Sequence, residues 1–313
     1  MHDMNQRLRV VAFDGGWNLP IWAAQAEGYF QREGVSLELV YTPNSMELMT
    51  GLYEDRYDIA LAGADNIVAY QEGQVQTQPP SSPDAFMFMG GDGGFLTVVA
   101  DSSIHGMENL RGKTLAVDAM TTGFAFVLRE LLARSGIEEA DVNIEHAGGT
   151  GSRYEALIAG RFDATLLRTP FEFMAADRGF HVLARAQALG PYQGTVGAAR
   201  RKWAEQNSKA LTGFIRAYHS GLDWARASAN QSAVLQLLMS NMKGLTPQSA
   251  VLCREILLDD TTGLTPDLSI NREGMETLLS LRSKYGQPQK TLGDPDRYVD
   301  YRYLNQALGK LNR

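Results

Sequence analysis

Hydroxyl, carboxamide and carboxylate side chains recur in this 313-residue chain where short apolar runs give way to helical patterns. Gly16-Trp17-Asn18, Asn44-Ser45 and Ala64-Asp65-Asn66 stand at three such junctions in the first third of the chain. Thr121-Thr122-Gly123, Thr150-Gly151-Ser152 and Arg168-Thr169 stand at three more. A helix start exposes unpaired N–H groups and the positive end of the helix dipole, so hydroxyls and free N–H groups there favour an anionic or strongly accepting group. Arg168 adds a planar fork suited to a carboxylate or sulfonate, or else a partner for Glu172 or for an acid facing it. Trp17, placed after two glycines, is expected to stack on a ligand. Ser45, Asp65 and Ser152 read equally well as helix caps. Asp65 suits a pairing with Arg168 or a ligand amine better than it suits an anion.

The same residues offer little to catalysis. No His-Glu-x-x-His, no Gly-x-Ser-x-Gly and no P-loop occurs in the sequence,. Gly149-Thr150-Gly151-Ser152-Arg153-Tyr154 lacks the third glycine of a dinucleotide fingerprint. His105, His146, His181 and His219 are scattered without ligand-like spacing,. Cys253 is the only cysteine, which excludes an intramolecular disulfide and a cysteine-based zinc site,. No catalytic residue, metal ligand or cofactor is nominated. A net charge of −7 with no block of like charges argues against nucleic acid as a partner,. No run approaches the ~20 apolar residues of a membrane span, and no leader with a basic start and an apolar stretch is visible ahead of the first strand. The compartment therefore stays open between a cytosolic start and a removed leader.

The elements that must position these junctions alternate as strand and helix. Leu8 to Phe13, Leu37 with Leu39, and Ile59 to Ala62 read as strands; helices are expected from Pro20 to Phe30, from Met46 to Tyr53, and from Asp65 through Ala69,. This is the pattern of a parallel sheet with crossover helices. It repeats: Val10 recurs as Leu115 (115 − 10 = 105), and Leu37 and Leu39 recur as Val142 and Ile144 at the same offset. Arg56-Tyr57-Asp58-Ile59-Ala60 likewise recurs as Arg161-Phe162-Asp163-Ala164-Thr165. The offset pairs Trp17 with Thr122, Ser45 with Thr150 and Gly63 with Arg168. Two lobes of like construction follow, with crossovers expected in Phe86 to Ala100 and around Thr195 to Ala199. Beyond Lys202 the pattern turns helical, over Ser208 to Ala227, Ser232 to Met242, Pro247 to Leu258 and Arg272 to Tyr285.

Several segments resemble a known family. Ala26-Glu27-Gly28-Tyr29-Phe30, Gly34-Val35, Asp58-Ile59-Ala60, Asn109 to Val117, Gly160 to Ala164 and Lys202 to Asn207 resemble, in order and spacing, the type II periplasmic substrate-binding proteins of ABC importers. The branch is the one that holds sulfonate-, taurine- and nitrate-binding proteins and the NMT1/THI5-like group. The resemblance implies a two-lobed α/β venus-flytrap fold, each lobe a mostly parallel sheet flanked by helices. Lobe one would comprise residues 1–94 and 196–313, with the helical tail packed on it, and lobe two residues 95–195. It also implies a periplasmic monomer that closes on one small-molecule ligand and delivers it to a membrane permease, without enzymatic activity. The ligand would be an organic acid, a sulfonate or a nitrogen heterocycle. The alternative is a cytosolic enzyme on the same fold, acting on a pyrimidine-like or aromatic-acid substrate. The pyrimidine-forming enzyme of this family carries a Cys-rich motif, which this chain lacks.

Overall fold

The computed structural model describes residues 6–79 and 83–309. Ten strands form two five-stranded sheets. The strands are β1 (Gln6–Ala12), β2 (Val35–Tyr41), β3 (Ile59–Gly63), β4 (Ala85–Gly90), β5 (Thr97–Ala100), β6 (Thr114–Val117), β7 (Asn143–His146), β8 (Ala164–Leu167), β9 (His181–Arg185) and β10 (Thr195–Arg200). The first sheet has the order β2-β1-β3-β10-β4 and the second β7-β6-β8-β5-β9. In each, four strands run one way and a single strand, β10 or β5, runs against them.

The repeat holds at the level of individual ladder pairs. Val10 lies opposite Leu39 on one side and Ile59 on the other. Leu115 lies opposite Ile144 and Ala164, each partner displaced by the same 105 positions. The aspartates of the repeated Arg-aromatic-Asp segment act alike. The Asp58 carboxylate accepts the N–H of Arg9, and the Asp163 carboxylate accepts that of Thr114, each at 2.8 Å. Each fastens the entry of the third strand to the first, and the strand that follows is mostly apolar and almost wholly buried. The reading of Asp58-Ile59-Ala60 and its copy as strand openings is thus explained: the acid pins the chain and the apolar run fills the core.

Helices cover both faces. They are α1 (Leu19–Ala26), α2 (Tyr29–Arg32), α3 (Ser45–Tyr53), α4 (Ala64–Glu72), α5 (Gly123–Arg134), α6 (Thr150–Ile158), α7 (Phe171–Ala176), α8 (Arg201–Gln206), α9 (Ser208–Arg226), α10 (Gln231–Asn241), α11 (Pro247–Leu257), α12 (Arg272–Tyr285) and α13 (Arg302–Leu308). The single helix expected from Pro20 to Phe30 is two, because Gly28 turns left-handed between them at φ 70°,. Of the tail, α9 packs on α1 and α2 beside the first sheet and α13 packs on α9. The tail also reaches further: α12 lies against both α4 and α5, and α11 lies against α7.

The chain passes between the sheets twice, at residues 91–96 and 186–194, so Phe86 to Ala100 is not one connection but β4, a crossing and β5. A buried ion pair ties these crossings together. Asp92, in the first, accepts two hydrogen bonds at 2.9 Å from Arg168 at the end of β8. The same carboxylate accepts the N–H groups of Gly94 at 2.7 Å and Thr195 at 3.2 Å. Arg168 also donates to Gly94 O and to Thr195 Oγ1, and its guanidinium lies 3.8 Å from the centre of a Trp17 ring. Gly15 permits this stack, since a Cβ there would come within 2.2 Å of the indole.

Beside this cluster Glu172, on α7, is 1% exposed. Its Oε1 accepts from Thr169 Oγ1 at 2.6 Å, while Oε2 has no partner among the described residues. Burial pushes its carboxyl up to about 7, against the pull of Arg185 and Arg168,.

Two outcomes follow from this packing. Arg168→Met leaves the Asp92 charge buried and unpaired, and the ligand-free protein loses about 3–5 kcal/mol in urea denaturation; an unchanged midpoint would show that the pair holds nothing. Glu172 keeps its proton in the folded chain and sheds it in the unfolded chain between its ordinary pKa and about 7. Folded stability therefore falls as pH rises through that window. Wild type should lose up to ~3 kcal/mol relative to Glu172→Gln between pH 4.5 and 8, and parallel curves for the two proteins would refute it.

Candidate functional site

The first three strands of each sheet end at one cleft, where ligands sit in open α/β sheets. Between them lies a cavity of about 40 Å³. The first-sheet side supplies Phe13, Ser45, Leu61, Gly63, Asp65, Asn66 and Thr195, and the second-sheet side Asp118, Thr122, Gly123, Phe124, Gly149, Thr150, Arg153 and Arg168.

The two sides touch directly. Ser45 donates its N–H, at 3.1 Å, and its hydroxyl to Asp118 Oδ2. Gly123 N–H donates to Asp65 Oδ2 at 2.6 Å, and Gly149 N–H to Pro43 O at 2.7 Å. Asp65 is held from behind by Arg282 of α12, whose Nε donates to Oδ1 at 2.6 Å. Arg282, 0% exposed, also donates to Thr121 O at 2.8 Å across the cleft.

The nominated residues divide accordingly. Ser45, Asp65, Asn66, Thr122, Gly123, Thr150 and Arg168 line the cavity. The side chain of Asn66, in the first turn of α4, makes no hydrogen bond among the described residues. Asp65 pairs with Arg282 rather than Arg168, and Arg168 with Asp92 rather than Glu172. Trp17 is buried beneath Arg168 instead of forming cavity wall. Asn18 donates to Phe13 O and Gly15 O and so pins the loop. Asn44 caps α3 by accepting Glu47 N–H at 2.8 Å, and Ser152 is exposed on the first turn of α6. Thr122 caps α5, and Thr121 lines a neighbouring groove with Ser45 and Asn66.

The strongest feature escaped the sequence reading. Arg153 is 2% exposed and lines the cavity from the first turn of α6. Its donors go to Leu166 O, Gly148 O and Thr150 Oγ1, all neutral acceptors. No carboxylate among the described residues lies at ion-pair distance, although Asp118, on the same side of the cavity, acts on it electrostatically. Burial pulls the guanidinium down to about 10, so it stays charged at neutral pH,. The available signal was its spacing: three residues after Thr150, Arg153 shares that residue's helix face.

Comparison with known proteins agrees with this architecture. The family model described as NMT1/THI5 like matches residues 18–232. YtlA of Bacillus subtilis (strain 168) is 22% identical over 208 residues, which cover 66% of this chain and 61% of that protein. The alkanesulfonate-binding protein SsuA from Xanthomonas axonopodis pv. citri, solved with MOPS, superposes with a TM-score of 0.71 at 16% identity, covering 89% of this chain and 92% of that one. The periplasmic nitrate-binding protein NrtA from Synechocystis PCC 6803 superposes with a TM-score of 0.69 at 12% identity, covering 97% and 80%. These structures share the fold, and the family match spans well over half of the sequence. The chain belongs to the NMT1/THI5-like family.

Proposed function

We propose that the chain binds a small organic anion, a carboxylate or a sulfonate, in the cleft between its sheets, as the ligand-capturing component of an ABC importer. One observation carries the anionic reading: Arg153 is a buried, charged guanidinium on the cavity wall whose hydrogen-bonding partners are all neutral. A buried charge is costly unless it is compensated, and a ligand anion supplies that compensation. The start of α6 opens onto the same space and adds its N–H groups, whereas the first N–H groups of α3, α4 and α5 are taken by Asp118, Gly194 and Asp65,. Phe13, Leu61 and Phe124 give the ligand's carbon skeleton apolar walls, and the free amide of Asn66 offers orientation.

The family supports the same reading. Two proteins of this fold are named for the small anions they bind, an alkanesulfonate and nitrate. A periplasmic location, a membrane permease as partner and a monomeric state go with it. Lobe one would then be residues 1–94 with 196–313 and lobe two residues 95–195. Binding without turnover is part of the proposal, and a product formed from a bound anion would refute that part.

The test is isothermal titration with short carboxylates and sulfonates, propionate and ethanesulfonate first. Arg153→Met should weaken the best anion by about 2–5 kcal/mol, and Arg153→Lys should restore only part, since an ammonium cannot reproduce the planar fork. Ligand-free melting curves check that both variants fold. An anion that binds Arg153→Met as tightly as wild type would refute the assignment, as would wild type binding neutral heterocycles only.

A further inference from the structure

We propose that Asp118 sets the charge of the accepted ligand: the cleft takes an anion with one negative group and rejects an anion with two. This rests on the anion-binding reading above and narrows it. The duplication makes Ser45, at the start of α3, the counterpart of Thr150, at the start of α6 (150 − 45 = 105). Each helix start offers an N–H, a hydroxyl and the positive end of a dipole to the same cavity. The two are not equally open.

At the start of α6 stands Arg153, whose hydrogen bonds all go to neutral acceptors and on which Asp118 acts only through space. At the start of α3 the corresponding place is already taken. Asp118, from the end of β6 on the opposite side, puts Oδ2 on both the N–H and the hydroxyl of Ser45. The chain thus fills one of its two helix starts with a carboxylate of its own. A ligand's first negative group meets Arg153, whereas a second would meet Asp118 where the other half offers free donors. The remaining cavity cations do not relieve this, because Arg168 is matched by Asp92, and Arg282 behind the wall by Asp65. A like charge placed against a ligand group is an effective means of rejection.

The experiment titrates wild type, Asp118→Asn and Ser45→Ala with two matched pairs: propionate against succinate, and ethanesulfonate against ethane-1,2-disulfonate. Wild type should prefer the monoanion of each pair by about tenfold or more. Asp118→Asn, which keeps the shape and removes the charge, should shrink that preference by about tenfold. Ser45→Ala, which removes the hydroxyl contact and keeps the charge, should retain it. Melting curves establish that the variants are folded. A preference in Asp118→Asn equal to wild type overturns the proposal, as does wild type binding each dianion as tightly as its monoanion. Wild type binding none of the four overturns the anion reading itself, and this proposal with it. That outcome is distinct from binding without discrimination.

Discussion

The ion pair between Asp92 and Arg168 is the constraint on which the rest of the molecule depends. A parallel α/β unit can be built twice from one pattern, but two units must still be joined at a defined angle. Here the joint is a single buried carboxylate that reads three backbone and side-chain elements at once: its own crossing, the start of β10 and the guanidinium at the end of β8. Removing such a charge from water is costly, and the cost is met only where every lone pair is used. That requirement fixes both crossings, sets Arg168 at the cavity edge, and positions Trp17 beneath it. The junction and the cleft are therefore one polar network.

The cavity inherits its electrostatics from this economy of pairing. Three arginines approach the cleft, and two of them are neutralised by carboxylates whose task is structural. Arg153 alone is held by carbonyls and a hydroxyl. A protein with an overall charge of −7 can therefore still carry a buried cation on its cavity wall without an ion-pair partner, because what matters locally is how the charges are paired rather than how many acids the chain carries,.

Much of the architecture was legible in the residues. The 105-position offset survives as ladder register, and α12 spans the Arg272 to Tyr285 read from its periodicity. These features are local or periodic, so sequence spacing carries them. Half of the cleft was legible for the same reason: strand ends and helix starts can be counted along the chain. Charge pairing cannot. Nothing near Asp65 in sequence announces Arg282, more than two hundred positions away, and nothing near Arg168 announces Asp92. Trp17 shows the same limit. An indole after two glycines suggested a stacking partner, and in the structure that partner is the Arg168 guanidinium, with the small residue at Gly15 letting the ring fold inward beneath it.

The position of α12 bears on how fast any solute could enter. This helix touches α4 on one side of the cleft and α5 on the other, with Lys284 and Tyr285 both bonded to Glu130 and Arg282 reaching across to Thr121. Were entry to the cavity of about 40 Å³ to require those contacts to part, uptake would follow their opening. Capture then scales with the fraction of molecules that are open at a given instant, and the apparent affinity is the intrinsic one diminished by that fraction. The same contacts, re-formed behind a bound molecule, would lengthen its residence. A strap of this kind exchanges speed of uptake for retention, a balance set by a helix that contributes no side chain to the cavity wall.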